Sequence, residues 1–236
     1  MKLKTNLHFH CKEDPSDYIQ YTFKEGIDRA SELGFDVIAL TLHNAFGYTE
    51  ERAQYAASKN ILLIPGIEKT IQGRHVVILN GDRDSEKIHT FEELRAYRMS
   101  HGAIFVLAPH PYFPWFSLKE KLKEYIDLFD GIEKSWYYSK HIDGNKEAHR
   151  MACQYTLPYI ATSDTHVLTF INRSYTLVHA LEKSVGGVLE ALRTQTFENY
   201  SEPSHFFYDM CVTQVYISLR DLLQRRFHAL RTPFEE

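Results

Sequence analysis

Short apolar runs alternate with helix-period segments along the chain. Residues 3–9, 36–42 (within FDVIALTLH), 61–65 (ILLIP), 75–79 (HVVIL), 103–108 (AIFVLA), 131–136 (GIEKSW), 157–162 (LPYIAT) and 174–180 (SYTLVHA) are short, apolar and β-branched-rich. That pattern predicts strands buried on both faces. Among the intervening segments, TFKEGIDRASELG sets Phe23, Ile27, Ala30 and Leu33 on one helical face and stops at Gly34, a natural residue past a helix end. Thr90–Glu93 and Ser117–Glu120 have capping-box spacing, and 143–155 and 184–195 predict further helices. The last stretch, QVYISLRDLLQRRFHAL, repeats apolar residues at Val215, Leu219, Leu222, Leu223, Phe227 and Leu230. It predicts a terminal helix, so that residues 1–204 form the main domain and 205–236 a helical extension packed on it.

Strand and helix in strict alternation predict an α/β architecture with a mostly parallel sheet. With seven or eight such units, a closed barrel competes with an open doubly wound sheet. No strand is followed by G-x-G-x-x-G or G-x-x-x-x-G-K, which removes the main support for nucleotide binding. At 236 residues, 44% hydrophobic and 25% charged, the chain can bury one sizeable core and is not disordered. A net charge of −4 gives no general electrostatic reason to bind nucleic acid or an anionic membrane. Cys11, Cys153 and Cys211 have no C-x-x-C spacing, so neither a disulfide framework nor a thiolate zinc site is expected. The N-terminus lacks the apolar core of a signal peptide and no run is long enough to span a bilayer, so a cytoplasmic location is expected, with no membrane partner.

Thirteen histidines are out of proportion, and six of them fall at strand ends. His8 and His10 close the first strand as H-F-H, where residues i and i+2 share a face. His43 follows the second strand, Glu68 the third, His75 opens HVVIL, His110 ends the next, and Asp164 with His166 ends another. Strand C-termini are where α/β folds assemble their sites. Six imidazoles and two carboxylates without a thiolate suit Zn²⁺, Mn²⁺ or Fe²⁺, and their number exceeds what one ion uses. Two or three divalent ions are expected.

In this order the residues resemble the PHP (polymerase and histidinol phosphatase) family. The correspondence runs from H-x-H (His8, His10) through TLHN (His43), PGIE (Glu68), GRHVVIL (His75) and APHPY (His110) to SDTH (Asp164, His166), over residues 3–166. The resemblance implies a distorted (β/α)7 barrel with a two- or three-metal site in its mouth, at the C-terminal ends of the strands, and hydrolysis of phosphate esters. It also implies a third early ligand, for which CKEDPSDY supplies Asp14, with Asp17 and Glu13 as rivals; the usual Asp of T-D-H is Leu42 here. Glu133 is read as a partner to a ligand imidazole rather than a ligand.

The chemistry expected is attack on phosphorus by a metal-bound hydroxide, with Glu68 and Asp164 as bridging carboxylates and His166 or Asp164 available to shuttle a proton. Arg173 is a candidate phosphate fork, and Lys69 and Arg74 flank the Glu68–His75 segment. Tyr112, Phe113, Trp115, Trp136 and Tyr137 are candidates for an apolar wall. The partner is then a small phosphate ester. Competing readings are an exonuclease or nucleotide phosphatase on nucleic-acid ends, a non-catalytic metal-stabilised scaffold, and hydrolysis of an amide or cyclic ester. Oligomeric state is not legible.

Overall fold

The computed structural model describes residues 1–205, and beyond them residues 209, 211, 215 and 219. The terminal helix expected over QVYISLRDLLQRRFHAL, and with it most of the extension over 205–236, lies outside the described residues. Nine strands form one sheet: β1 (Lys2–Phe9), β2 (Val37–Leu40), β3 (Leu62–Ile71), β4 (Arg74–Leu79), β5 (Phe105–Ala108), β6 (Gly131–Lys134), β7 (Tyr159–Ala161), β8 (Ser174–His179) and β9 (Phe197–Ser201). Their spatial order is β7-β6-β5-β4-β3-β2-β1-β8-β9. The sheet curls into a nearly closed barrel. Backbone pairing between Phe9 and Thr165 joins the chain after β7 back to β1. Side chains of β8 and β9 reach the β7 edge: the Thr176 hydroxyl of β8 donates to Ala161 O at 2.9 Å, and Asn199 of β9 bonds Ala161 N at 2.9 Å and Tyr159 O at 2.7 Å.

The α/β barrel architecture is as expected, but strict alternation is not. The strand expected at 61–65 runs on to Ile71, turns at Gln72 (φ 47°) and Gly73 (φ 75°), and returns antiparallel as β4 with no helix between. Two consecutive left-handed residues suit a tight hairpin. β8 is also antiparallel to β1, and β9 lies beyond the strands expected.

Helices α1 (Phe23–Glu32), α2 (Glu50–Ser58), α3 (Phe91–Ser100), α4 (Glu120–Glu124), α5 (Asn145–Tyr155) and α6 (Val185–Arg193) surround the sheet. Thr90 and Glu93 form the capping box of α3, and Thr22 and Glu25 form another at α1. Ser117–Glu120 does not cap α4: the helix starts only after Lys119, and the Ser117 hydroxyl donates to Phe113 O at 2.5 Å. The apolar spacing does not reveal α2, because Ala56 is its one buried residue.

Inward residues Leu3, Leu7, Val37, Ala39, Phe105 and Val178 pack with Val188, Leu189 and Leu192 of α6. Leu3, Val37 and Phe105 lie at the starts of parallel strands and Val178 near the end of antiparallel β8, so α6 covers that end of the barrel and leaves the other for chemistry. β1 changes register there. Asn6 pairs with Ile38 and Phe9 with Leu40, so three residues of β1 span two of β2. The extra residue reverses the facing. Leu3 and Leu7 point into the barrel core, Phe9 packs outward with Ile38 and Leu40, and His8 and His10 turn inward. Among the described residues no helix is long and apolar enough to cross a membrane.

Thr176→Val keeps the volume but deletes the buried closing hydroxyl. Equilibrium urea unfolding should show a loss of about 1–3 kcal/mol, the cost of an unpaired buried carbonyl. An unchanged midpoint would mean that this bond does not hold β8 to the β7 edge.

Candidate metal centre

The histidines and carboxylates meet at the open end of the barrel. β1 delivers His8 and His10, the chain after β2 delivers His43, and those after β5 and β7 deliver His110, Asp164 and His166. β4 runs antiparallel, so its first residues, among them His75, lie at the end where its neighbours' last residues lie. Glu68 is inside β3 rather than after it, paired beside His43.

Glu68 is the hub, with no exposure to solvent. Its carboxylate lies 3.2 Å from His8 Nε2, 3.3 Å from His10 Nε2, 2.9 Å from His43 Nε2, 2.9 Å from His75 Nδ1 and 3.1 Å from His110 Nε2. Asp164 Oδ1 lies 3.4 Å from both His8 Nε2 and His10 Nε2 and 3.2 Å from His166 Nδ1. Three overlapping groups have ligand atoms within 4.8 Å of one another: His8–His10–Glu68–Asp164, His43–Glu68–His75 and His10–His43–His166.

Whether these residues fit metal ions is decided by their hydrogen bonds. His8 Nε2, His10 Nε2, Glu68 Oε2 and Asp164 Oδ1 are buried and have no hydrogen-bond partner. They are one ligand atom from each member of the first group. Four convergent buried polar atoms without partners are costly unless something else binds them, and the N/O donor set suits a divalent transition ion.

The other faces of the rings are held. His8 Nδ1 bonds Glu133 at 2.8 Å, while His10 Nδ1 and His43 Nδ1 bond Asp14 Oδ2 at 3.0 and 2.9 Å. Such partners fix the tautomer that leaves Nε2 as a ligand. Asp14 also accepts the backbone N–H of His43, Ser16 and Asp17. It therefore sits behind the rings, where the sequence reading has a ligand; Asp17 lines the cavity and reaches His166 Nε2 at 2.9 Å. Leu42 is buried, and its carbonyl accepts the Glu68 N–H at 3.1 Å, anchoring the hub through backbone where the family pattern has an Asp.

Two site residues have positive φ, His110 at 29° and Asp164 at 41°. Non-glycine residues persist there only when their surroundings fix them. Around Asp164, Asn6 donates to Ser163 and Thr165, the Thr165 N–H reaches His8 O, and the Tyr21 hydroxyl sits 2.6 Å from both His10 O and Thr165 O.

Lys69 and Arg173 are not brought to the site. The Lys69 ammonium donates to Glu86 O at 2.8 Å, and Arg173 pairs with Asp209 at 2.5 Å over the Phe170 ring. Arg74 bonds Ser117 O. Of the proposed aromatic wall, Phe113, Trp115, Trp136 and Tyr137 line the cavity of about 250 Å³ over the centre, whereas Tyr112 faces a neighbouring one. Phe116 and Ser135 also line it, and no sequence signal singles them out. Phe116 gets there because the loop after β5 folds back, its carbonyl accepting the His75 N–H at 2.8 Å.

The sequence profile of a family described as PHP-associated matches residues 143–197, from just before α5 to the start of β9. In structure, the chain is similar to a two-domain protein from Bacteroides vulgatus ATCC 8482 containing a predicted PHP-like metal-dependent phosphoesterase. The TM-score is 0.66 at 22% identity, over 86% of this chain and 65% of that one. The fold is that of the PHP family. That bears out the resemblance carried by the motifs. The PHP-type barrel is also similar to PsfC from Pseudomonas syringae PB-5123 (TM-score 0.61, 13% identity, 92% of this chain and 98% of that one). A third similar structure is the lesion-specific endonuclease PfuEndoQ from Pyrococcus furiosus (TM-score 0.62, 14% identity, 82% and 56%). The chain thus spans under two thirds of the Bacteroides and Pyrococcus proteins. No curated protein matches its sequence.

Electrostatics tie ion binding to protons. Burial alone would raise the Glu68 carboxyl, but His75, His8 and His43 hold it well below the usual range. Burial would lower His43, but Glu68 and Asp14 hold it up at about 10. His8 and His166 are likewise raised against burial, chiefly by Asp164, whereas burial keeps His75 low. A raised imidazole keeps its proton until the pH approaches that value, and a ligand nitrogen must lose it. Metal uptake should therefore release protons and tighten as the pH rises toward about 10. Calorimetry in buffers of different ionisation enthalpy reads this directly, and pH-independent affinity without proton release would contradict it. Asp14→Ala should weaken metal binding by about 10–100-fold through loss of ring orientation.

Proposed function

We propose that the protein is a metal-dependent hydrolase of a small phosphate ester. The observation that carries this reading is the convergence of buried His8, His10, Glu68 and Asp164 atoms without hydrogen-bond partners in a PHP-type barrel, with Glu68 and Asp164 lining an open cavity. His8, His10, His43 and His75 would be the imidazole ligands, with Glu68 common to both ion groups and Asp164 in the first; His110, whose Nε2 lies 3.1 Å from Glu68, is the further candidate ligand, and Asp17 holds His166 rather than joining either group. Glu133 and Asp14 orient the rings. Divalent ions, Zn²⁺, Mn²⁺ or Fe²⁺, would lower the pKa of an attacking water and offset charge on the phosphoryl oxygens.

With two ions in the His8–His10–Glu68–Asp164 and His43–Glu68–His75 groups, His166 is left as the proton carrier. It lies at the cavity edge, bonded through Nε2 to Asp17. It holds a proton that the departing oxygen takes as the P–O bond breaks. A third ion in the His10–His43–His166 group would take that role away, so stoichiometry and the His166 variant are linked. Action on nucleic-acid ends is less well supported, since among the described residues no Lys or Arg lines the cavity to track a phosphate backbone.

The test is metal content with phosphate release from p-nitrophenyl phosphate. His10→Ala and Asp164→Ala should each lose metal and at least about 10²-fold in kcat. His166→Ala should keep two equivalents and lose about 10²–10⁴-fold in kcat. Retained turnover with unchanged metal in His10→Ala or Asp164→Ala would refute the assignment.

A further inference from the structure

We propose that the leaving group is an uncharged, ring-bearing alcohol, so that the site takes an ester with one phosphoryl group and no second anion. This rests on the phosphoesterase reading and narrows it. Above the floor, the cavity walls are Phe113, Trp115, Phe116, Trp136 and Tyr137. Phe113 meets Tyr137 edge to face at 4.5 Å and Trp115 at 5.4 Å, and Phe116 stacks flat on His75 at 4.9 Å. These contacts fix the rings in complementary orientations. Trp115 and Phe116 are nonetheless 53% and 57% exposed. Ring faces held open to water gain free energy when a flat apolar group covers them.

A second cavity of about 260 Å³ shares His110, Phe113, Ser135 and Tyr137 with the first. Pro111, Tyr112, Pro114 and Ile142 extend its apolar lining, and Asp143 adds a carboxylate. A group leaving the phosphoryl position passes along the aromatic wall into this space.

Charge then sets the class. Among the described residues lining either cavity there is no Lys or Arg. Lys69, Arg74 and Arg173 are bonded elsewhere, and Lys134, next to Ser135 in the chain, sets its ammonium over the Tyr138 ring, within electrostatic reach of Asp143. A second phosphate or a carboxylate on the leaving group would be desolvated against rings, with no Lys or Arg among the described lining residues to pair with it and with the Lys134 charge already shared with Asp143. A neutral ring meets no such cost. The reaction balances as hydrolysis: water oxygen bonds to phosphorus, the ester P–O bond breaks, and the departing oxygen takes a proton to give the alcohol and inorganic phosphate.

The chain's two tryptophans, Trp115 and Trp136, both line the cavity, so binding is readable without turnover. The metal-loaded full chain is titrated with 3-phenylpropylphosphonate, butylphosphonate and 3-(4-carboxyphenyl)propylphosphonate, by calorimetry and tryptophan fluorescence. The phenyl compound should bind at least about tenfold more tightly than the butyl one, with a change in fluorescence. It should also bind at least about tenfold more tightly than the carboxylated one. Trp115→Ala should bring the phenyl-to-butyl ratio toward unity, and Asp143→Asn should narrow the carboxylate penalty. Equal affinities for the three, binding that leaves the tryptophans unperturbed, or no binding of any would overturn the proposal. Phosphate release from the corresponding esters is followed in parallel. Ring-selective binding without release would overturn the phosphoesterase reading alone, and release without ring preference would overturn the substrate class alone.

Discussion

A carboxylate cut off from water has to be answered by its neighbours, and Glu68 is the carboxylate around which this barrel is organised. Its backbone is pinned in β3 and by Leu42 O, and its oxygens lie within 3.3 Å of nitrogens from five histidines on four different strands or the chain after them. Burying such a group unpaired would be prohibitive, so the rings must be present and correctly turned. Asp14 holds the His10 and His43 rings through Nδ1, and Glu133 holds His8 in the same way. The centre is therefore a nested set of charges: an inner carboxylate pair, a ring of imidazoles, and outer carboxylates fixing the imidazoles.

Local departures from ideal geometry put these groups in place. The extra residue in β1 turns His8 and His10 from the outer face to the inner one. The β3–β4 hairpin brings His75 to the site end of an antiparallel strand. Positive φ at His110 and Asp164 aims the chain after β5 and after β7 across the barrel mouth. Each departure is held by ordinary hydrogen bonds or packing. Asn6, Tyr21 and Thr165 tie the Asp164 turn to β1, and α6 packs the opposite end with Val188, Leu189 and Leu192. Stability and chemistry thus occupy opposite ends of one barrel.

The surface above the centre has a different character from its floor. The floor is ionic, the walls are aromatic, and Lys69, Arg74 and Arg173 are engaged in structural bonds. In the proposed function, positive charge for a phosphoryl group comes from bound ions, with selectivity left to shape and ring contacts. In the proposed reaction the chain's own residues hold ions, carry one proton and receive the leaving group.

The sequence by itself determined the α/β class, most of the strands, the capping box of α3 and the composition of the centre. The H-x-H spacing is a local feature, and period two puts His8 and His10 on one face, whereas Asp164 and His166 of SDTH lie in the chain after β7 and are brought in by the turn at Asp164. The sequence did not determine which face of β1 those histidines take, since Leu3 and Leu7 set a parity that only the register shift against β2 reverses. Nor did it separate Asp14 from Asp17. Both lie within one loop of His10, and which one faces the cavity depends on where the His43 ring and the 16–17 backbone end up. Arg173 and Lys69 were plausible by position alone; their partners Asp209 and Glu86 O lie 36 and 17 residues away in sequence. Local spacing fixed what kind of groups would gather. Long-range pairing decided which way each one points.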